Sequence, residues 1–356
     1  MNIKVLPLPE EKKKPKFTDE SQLGFGKIFT DRLFIAEWKV GQGWVDARIE
    51  PYAPFSLDPA CMVLHYAQEI FEGLKAYRWH DGSVALFRPE MNARRFNRSA
   101  ERMCMPEVPE DLFLQGITEL VRLEADWIPA SAGTSLYIRP TMIAVEPVLG
   151  VKPSDHYYFY VILSPVGAYY AGGFNPVKIM VEDKFVRAVP GGTGEAKTGG
   201  NYASSLKAGL EAKKKGFDQV LWLDGVERRY IEEVGAMNMF FAYGDRVVTA
   251  PLEGSILNGV TRNSVITLAT ELGFSVDERK IDIDTIMADI RSGKITEAFG
   301  SGTAAVITPV GALCYKEETS TIGTGGVGTL TQKLYDALTG IQTGVVADKF
   351  GWVKKI

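Results

Sequence analysis

Gly191-Gly192-Thr193-Gly194-Glu195-Ala196-Lys197-Thr198-Gly199-Gly200-Asn201-Tyr202 is the stretch around which the rest of the chain is read. Its glycines let the backbone turn sharply and approach a ligand closely. A lysine held beside such a compact loop can lose its proton and attack a carbonyl. An aldehyde cofactor is held in that way, as a Schiff base. A structural turn carrying a solvated lysine is the competing reading of the same residues.

Outward from this loop, Val177–Glu182 alternates as a strand on the upstream side. Downstream, Asn201 caps a helix predicted from Tyr202 to about Lys215, with lysines in its last turn and Gly216 to end it. Val220–Leu223 reads as a strand that turns at Asp224-Gly225. Ala236–Ala242 and Arg246–Thr249 are strands joined at Gly244-Asp245. A helix runs from near Val260 to Gly273, Ala304–Ile307 is a short strand, and Leu330–Leu338 is a last helix. In the first half, Ala60–Ala76 reads as helix-like or irregular, Ser83–Phe87 as a strand, and Arg88–Met105 and Asp111–Ala125 as helices. Ser135–Ala144 and His156–Leu163 read as strands. Ala171–Asn175, ahead of Pro176, resembles a linker. This pattern predicts an α+β protein of two domains. A small α/β domain spans 1–170, the linker and start of the second domain 171–182, and a larger domain 183–356.

The 356 residues suffice for two cores, and 46% apolar composition excludes a disordered chain. A formal charge of -4 argues against general nucleic-acid binding. Cys61, Cys104 and Cys314 form no CxxC pair or disulfide framework. His65, His80 and His156 have no metal-ligand spacing, so no metal is expected. Met1–Glu20 lacks an apolar leader core, and no stretch reaches membrane-spanning length without charge. A cytoplasmic protein without a membrane partner is the expectation.

Two further constellations carry chemistry. In Tyr230-Ile231-Glu232-Glu233-Val234-Gly235, strand alternation points the two carboxylates to opposite faces. One then reaches a ligand while the other meets water, and chemistry alone does not say which. Gly254-Ser255-Ile256-Leu257-Asn258-Gly259-Val260-Thr261 leads into a helix whose first amides suit a phosphate. Gly300-Ser301-Gly302-Thr303-Ala304 offers more amides and hydroxyls. Neither loop carries a P-loop lysine.

In order and spacing these segments resemble the branched-chain aminotransferases, of the fold-type IV group of pyridoxal 5'-phosphate (PLP) enzymes. The resemblance covers nearly the whole chain after the first twenty residues. Leu64-His65-Tyr66, Phe71-Glu72-Gly73-Leu74-Lys75-Ala76-Tyr77, Phe87-Arg88-Pro89, Ser135-Leu136-Tyr137-Ile138-Arg139-Pro140, Lys197 to Tyr202, Glu233-Val234-Gly235 and Gly302-Thr303-Ala304 carry it. It implies a D-amino acid aminotransferase-like fold whose larger domain binds PLP. Lys197 is then the Schiff-base lysine and proton shuttle, and Glu233 the partner of the pyridine nitrogen. Tyr202 lies beside the phenolic oxygen, and Arg187 is a basic residue near the cofactor. Arg95 binds phosphate, with Arg94 the alternative if the register shifts by one. Val260, Thr261 and Thr303 complete the phosphate site.

On the substrate side the resemblance implies Tyr66, Phe71, Tyr137, Tyr169 and Arg139 around the side chain, with Thr303 and Ala304 presenting amides to the α-carboxylate. The reaction implied is ping-pong transfer from L-leucine, L-isoleucine or L-valine to 2-oxoglutarate, giving the 2-oxo acid and L-glutamate, as in branched-chain amino-acid biosynthesis or breakdown. A homodimer is implied, because in this group a partner contributes to its neighbour's pocket. Ala305-Val306-Ile307-Thr308 stands where animal members carry a CxxC pair, so redox regulation through such a pair is not expected. Ala236 stands where some relatives carry threonine. A D-amino acid aminotransferase, an aminodeoxychorismate lyase and a non-enzymatic binding protein on the same scaffold are the alternatives.

Overall fold

The structure is a computed structural model and describes residues 2–167 and 173–356. Two compact units share the chain unevenly. The first comprises Met1–Ala171, Ala196–Gly199 and Ile341–Ile356, and the second Gly172–Glu195 and Gly200–Gly340. The sequence division therefore needs correction in two places. The 183–356 segment is not one domain, because Ala196–Gly199 and the C-terminus belong to the first unit. The C-terminal strand pairs with an early one, Val353 opposite Phe87, so hydrogen bonding decides its allegiance.

In chain order the first unit holds β1 (Lys4–Val5), β2 (Arg32–Lys39), β3 (Gly43–Pro51), α1 (Met62–Tyr66), β4 (Glu69–Phe71), β5 (Leu74–Arg78), β6 (Val84–Phe87), α2 (Pro89–Arg102), α3 (Glu110–Leu123), β7 (Ser135–Ala144) and β8 (His156–Val166). The second holds β9 (Val177–Glu182), the end of α4 (Gly199–Ala203), α5 (Leu206–Lys214), β10 (Gln219–Leu223), β11 (Ile231–Val234), β12 (Met237–Tyr243), β13 (Arg246–Thr249), α6 (Val260–Glu271), β14 (Ser275–Glu278), α7 (Ile283–Arg291), β15 (Glu297–Gly302), β16 (Val306–Tyr315), β17 (Glu318–Thr321) and α8 (Thr329–Gln342). Strand β18 (Val353–Lys355) returns to the first unit.

The sheet of the first unit runs β1-β3-β2-β8-β7-β5-β6-β18, with β4 beside β7. One face is apolar because alternate residues point to it: Phe34 and Ala36, Leu136 and Ile138, Phe159, Val161 and Leu163. Helices α2 and α3 cover that face. Phe96 and Phe113 meet Phe159 at centroid separations of 5.4 and 5.7 Å, within the range of attractive ring pairs. A side chain at Gly116 would overlap the Phe34 ring, so α3 sits directly on the sheet there. The Ala60–Ala76 segment, read as helix-like, is instead α1 followed by β4 and the start of β5.

In the second unit the order β11-β10-β9-β16-β15-β12 closes on itself, because β11 also pairs with β12. Closure leaves no edge among these six strands and buries both faces of β11. The expectation that either Glu232 or Glu233 meets water is thereby overturned, since they are 6% and 3% exposed. Other local expectations also change. The helix after the glycine loop breaks into α4 and α5 around Ser204, and Asn201 lies buried inside α4, bonded to Thr193. Asp224-Gly225 is not a two-residue turn. The Asp224 carboxylate accepts the amides of Val226, Glu227, Arg229 and Tyr230 and builds a longer loop. Ala304 lies in a turn between β15 and β16, not in a strand.

Candidate active site

In the first unit the site begins on α2. Asn92, Arg95 and Ser99 follow at helical spacing and form a buried polar seam beside the apolar Ala93, Phe96 and Ala100. Arg95 grips the buried Glu72 with two bonds, Nε to Oε1 at 2.7 Å and Nη2 to Oε2 at 2.9 Å. Asn92 Nδ2 donates to the same carboxylate at 2.7 Å, and the Gly73 amide at 3.1 Å. Burial pushes the Glu72 carboxyl up, yet Arg95, the Lys197 charge and Asn92 outweigh it and hold it below the ordinary value. The two candidate arginines differ in burial. Arg95 has a side chain 5% exposed, whereas that of Arg94 is 60% exposed and faces Glu110.

The lysine loop is sewn to this seam. The Lys197 amide donates to Ser99 Oγ at 2.9 Å, and its carbonyl accepts the Phe71 amide at 3.0 Å. Thr198 Oγ1 donates to the Glu69 carbonyl at 2.7 Å. A Cβ at Gly199 would run into the Glu69 carboxylate, which would have to move aside. Burial raises the Glu69 carboxyl above its usual value, and the charge of Arg139 and the Gly199 amide oppose the rise. Lys197 Nζ lies 4.9 Å from the Phe71 ring centre, and the Arg139 guanidinium 4.7 Å from the same ring. Arg139 Nη2 donates to the Tyr137 hydroxyl at 3.0 Å. The first unit thus brings Lys197, Phe71, Tyr137 and Arg139 together: one aromatic ring with two cations and a phenol around it. Phe25 packs edge-on against Tyr137, with 5.0 Å between ring centres. Tyr66 stands elsewhere, 40% exposed at the end of α1, with its hydroxyl on the Leu149 carbonyl. Tyr169 lies outside the described residues.

In the second unit strand register aligns the site. Glu233 on β11 is opposite Asn238 on β12, which is opposite Ser301 on β15, so the three side chains share one face. Glu233 Oε2 lies 3.3 Å from Arg187 Nε, both side chains being buried, and Oε1 accepts the Leu257 amide at 2.8 Å. Arg187 also donates to the Ser255 carbonyl. Asn238 Nδ2 holds the Leu257 carbonyl at 3.0 Å. A side chain on Gly259 would strike Asn238, which lets α6 start close to the sheet. No side chain caps α6, so the amides of its first turn, with Val260 and Thr261 buried there, keep an anion-binding arrangement. Among the described residues, Ser301 Oγ is buried with no hydrogen-bond partner. Thr303 and Ala304 occupy the turn after β15. Tyr202 lies on α4, partly buried.

Several contributors had no role in the sequence reading: Glu72, Asn92, Ser99, Glu69, Ser255 and Leu257. The helical spacing of Asn92, Arg95 and Ser99 was the available signal for the first unit. The Ser255 and Leu257 contacts run through a loop, and loop geometry leaves no periodicity to read.

The comparisons with known proteins agree with this layout. The class IV amino-transferase family profile matches residues 69–313. Branched-chain-amino-acid aminotransferase 2 of Bacillus subtilis is 56% identical over 97% of this chain and 94% of its own length. Branched-chain-amino-acid transaminase 1 of the same organism is 53% identical over 97% of this chain and 96% of its own. Among solved structures, the branched-chain amino acid aminotransferase of Escherichia coli superposes with a TM-score of 0.74 at 29% identity, covering 90% of this chain and 98% of that one. The T.th. branched-chain amino acid aminotransferase complexed with N-(5'-phosphopyridoxyl)-L-glutamate gives 0.74 at 27% identity, covering 90% and 97%. With a family profile spanning most of the chain and relatives above half identity along nearly all of it, the chain belongs to the class IV aminotransferases, within the branched-chain-amino-acid aminotransferase family.

Proposed function

We propose that this protein transfers the amino group of L-leucine, L-isoleucine or L-valine to 2-oxoglutarate with pyridoxal 5'-phosphate as cofactor. One observation carries the reading: the Phe71 ring has Lys197 on it and Arg139 beside it, with the Tyr137 hydroxyl on Arg139. An apolar wall suits a branched side chain, and a cation with a phenol suits the distal carboxylate of 2-oxoglutarate. The groups of each unit also fit the cofactor chemically. Lysine, a buried carboxylate on an arginine, uncapped helix amides and an unsatisfied Ser301 hydroxyl are the donors and charges that an aldehyde, a pyridine nitrogen and a phosphate require.

When bound, the cofactor supplies the electron sink for the Cα electrons. The Lys197 amine would hold it, and as a free amine Lys197 would carry the proton between the substrate Cα and its acceptor position. Glu233 keeps a proton on the ring nitrogen, with Arg187 and the Leu257 amide fixing the carboxylate. In the first unit Arg95 would serve the phosphate. In the second the Val260 and Thr261 amides and Thr303 would do so, and Tyr202 would serve the phenolic oxygen. Thr303 and Ala304 present amides to the substrate α-carboxylate.

A homodimer belongs to the same proposal. Leu64, Tyr66, Leu149 and Val151 are exposed large apolar residues of the first unit, and the Tyr66–Leu149 bond ties two of them together. Such a patch favours burial against a second copy, and the proposal gives Tyr66 to the neighbour's substrate. A cytoplasmic setting without nucleic-acid or membrane partners completes the reading. The formal charge of -4 supports the part that concerns nucleic acid.

The test is the absorption of the purified, PLP-saturated protein during addition of L-leucine and then 2-oxoglutarate. Loss of the cofactor band with leucine and its return with 2-oxoglutarate are expected. A band indifferent to L-leucine but responsive to D-amino acids or aminodeoxychorismate would overturn the substrate assignment.

A further inference from the structure

Two carboxylates stand side by side on β11 with both faces of the strand buried, and the Arg187 guanidinium acts on both. Arg187 is committed to Glu233, at 3.3 Å. Glu232 has a different partner: its Oε1 accepts the Ser255 hydroxyl. Among the described residues, its Oε2 is buried without any hydrogen-bond partner. Ser255 therefore works at both ends. Its hydroxyl holds Glu232 and its carbonyl takes Arg187, while the Leu257 amide two residues later holds Glu233. The Ser255 carbonyl has no room to move toward the glycine loop, because even a methyl group at Gly194 would overlap it.

We propose that Glu232 is a positioning residue which, through Ser255, fixes the 255–257 segment and Arg187 around Glu233, and that it does so as a neutral carboxylic acid. This rests on the reading of Glu233 as the partner of the cofactor ring nitrogen.

The neutral form follows from the setting. An ionised carboxylate with one bare oxygen in a buried place costs far more than a neutral acid with one unmade hydrogen bond. A second negative charge beside Glu233 would compete for Arg187 and divide the field that Glu233 exerts. Burial pushes the Glu232 carboxyl up, and the charges of Glu233 and of Asp224, on the loop between β10 and β11, push the same way. The Ser255 hydroxyl and Arg187 pull against them without reversing the rise. With its proton in place, Glu232 accepts the Ser255 hydroxyl and adds no charge.

The experiment compares the wild-type holoenzyme with Glu232→Gln, Glu232→Ala and Ser255→Ala. Glutamine keeps the accepting oxygen and the neutrality, so Glu232→Gln is expected to match wild type in its cofactor absorption band, in cofactor retention on dialysis and in leucine turnover. Alanine at either position frees the segment, so both variants are expected to lose cofactor about tenfold faster, on the scale of one hydrogen bond in a buried site. Their kcat is expected to fall with little change in KM.

The apoprotein gives a second readout. A carboxyl whose folded value is raised binds its proton more tightly when folded, so wild type loses stability as pH climbs above the unfolded value near 4.5. Glu232→Gln lacks this loss and gains on wild type over that window in urea unfolding. The proposal is overturned if Glu232→Gln is as damaged as Glu232→Ala, because the charge is then what matters. It is equally overturned if both alanine variants retain cofactor like wild type while unfolding more easily, because Glu232 is then only packing. A wild-type protein with no cofactor band would defeat the functional reading instead, and the apoprotein pH comparison still decides the protonation of Glu232. Should Glu232→Ala not fold, Ser255→Ala against Glu232→Gln carries the same comparison.

Discussion

Replacing Glu72 with alanine tests the centre of the first unit. Glu72 has no solvent exposure and accepts two bonds from Arg95, one from Asn92 and one from the Gly73 amide. Its removal takes the Glu72 carboxylate from the Arg95 guanidinium, itself 5% exposed. Breaking one side of a buried ion pair costs about 3–5 kcal/mol, whereas exchanging both partners for apolar residues of like volume is often neutral. Glu72→Ala is therefore expected to lose roughly 3–5 kcal/mol in urea unfolding of the apoprotein, and Glu72→Leu combined with Arg95→Met much less. The acid limb adds a second signature. The folded Glu72 carboxyl lies below its unfolded value of 4.5, so its contribution is complete above that value and disappears as pH falls from there through the lower folded value. In Glu72→Ala this part of the acid sensitivity should vanish. A loss under about 1 kcal/mol with an unaltered acid limb would refute the reasoning, since an exposed pair behaves in that way.

Other expectations follow from the same geometry. Lys197→Ala should abolish turnover and release PLP on dialysis, and a normal rate in that variant would sink the assignment. Glu233→Ala should retain some cofactor and lose about 10²–10³ in kcat, the scale on which a preorganised charge acts; stopped-flow half-reactions with leucine measure it. Arg139→Ala should raise KM for 2-oxoglutarate by roughly 10–100-fold, the worth of a charge-assisted hydrogen bond, and change KM for leucine far less; equal effects would remove Arg139 from the distal carboxylate. Gly199→Ala forces the Glu69 carboxylate aside and should cost about 1–3 kcal/mol, read from the urea midpoint together with cofactor loading.

The legible parts of this protein are those in which a local period meets the final packing. Ser135–Ala144 and Val177–Glu182 are dense in residues that favour strands, and the strands have those limits. That Arg95 and not Arg94 is buried could be read from the helical spacing of Asn92, Arg95 and Ser99. Where long-range pairing decides, the reading failed. Glu69–Phe71 becomes a strand only because β7 lies beside it, Phe71 opposite Thr141. Gly300 and Gly302 give β15 little strand propensity, yet β12 and β16 pair along it. Alternation assumes water on one side of a strand, and closure of the second unit's ring removed that side for Glu232. The tie of Val353 to Phe87 depends on a partner far upstream and leaves no local trace.

Ring closure in the second unit also sets a timetable. Lys197 and Glu233 both precede β15 and β16, the strands that complete the ring by pairing with β12 and β9. Ser301, which finishes the row begun by Glu233 and Asn238, arrives only with β15. A nascent chain that stops short of Glu297 thus carries its reactive amine without the framework that orients Glu233. The row of Glu233, Asn238 and Ser301 is therefore a property of the closed ring and not of any stretch of chain before β15.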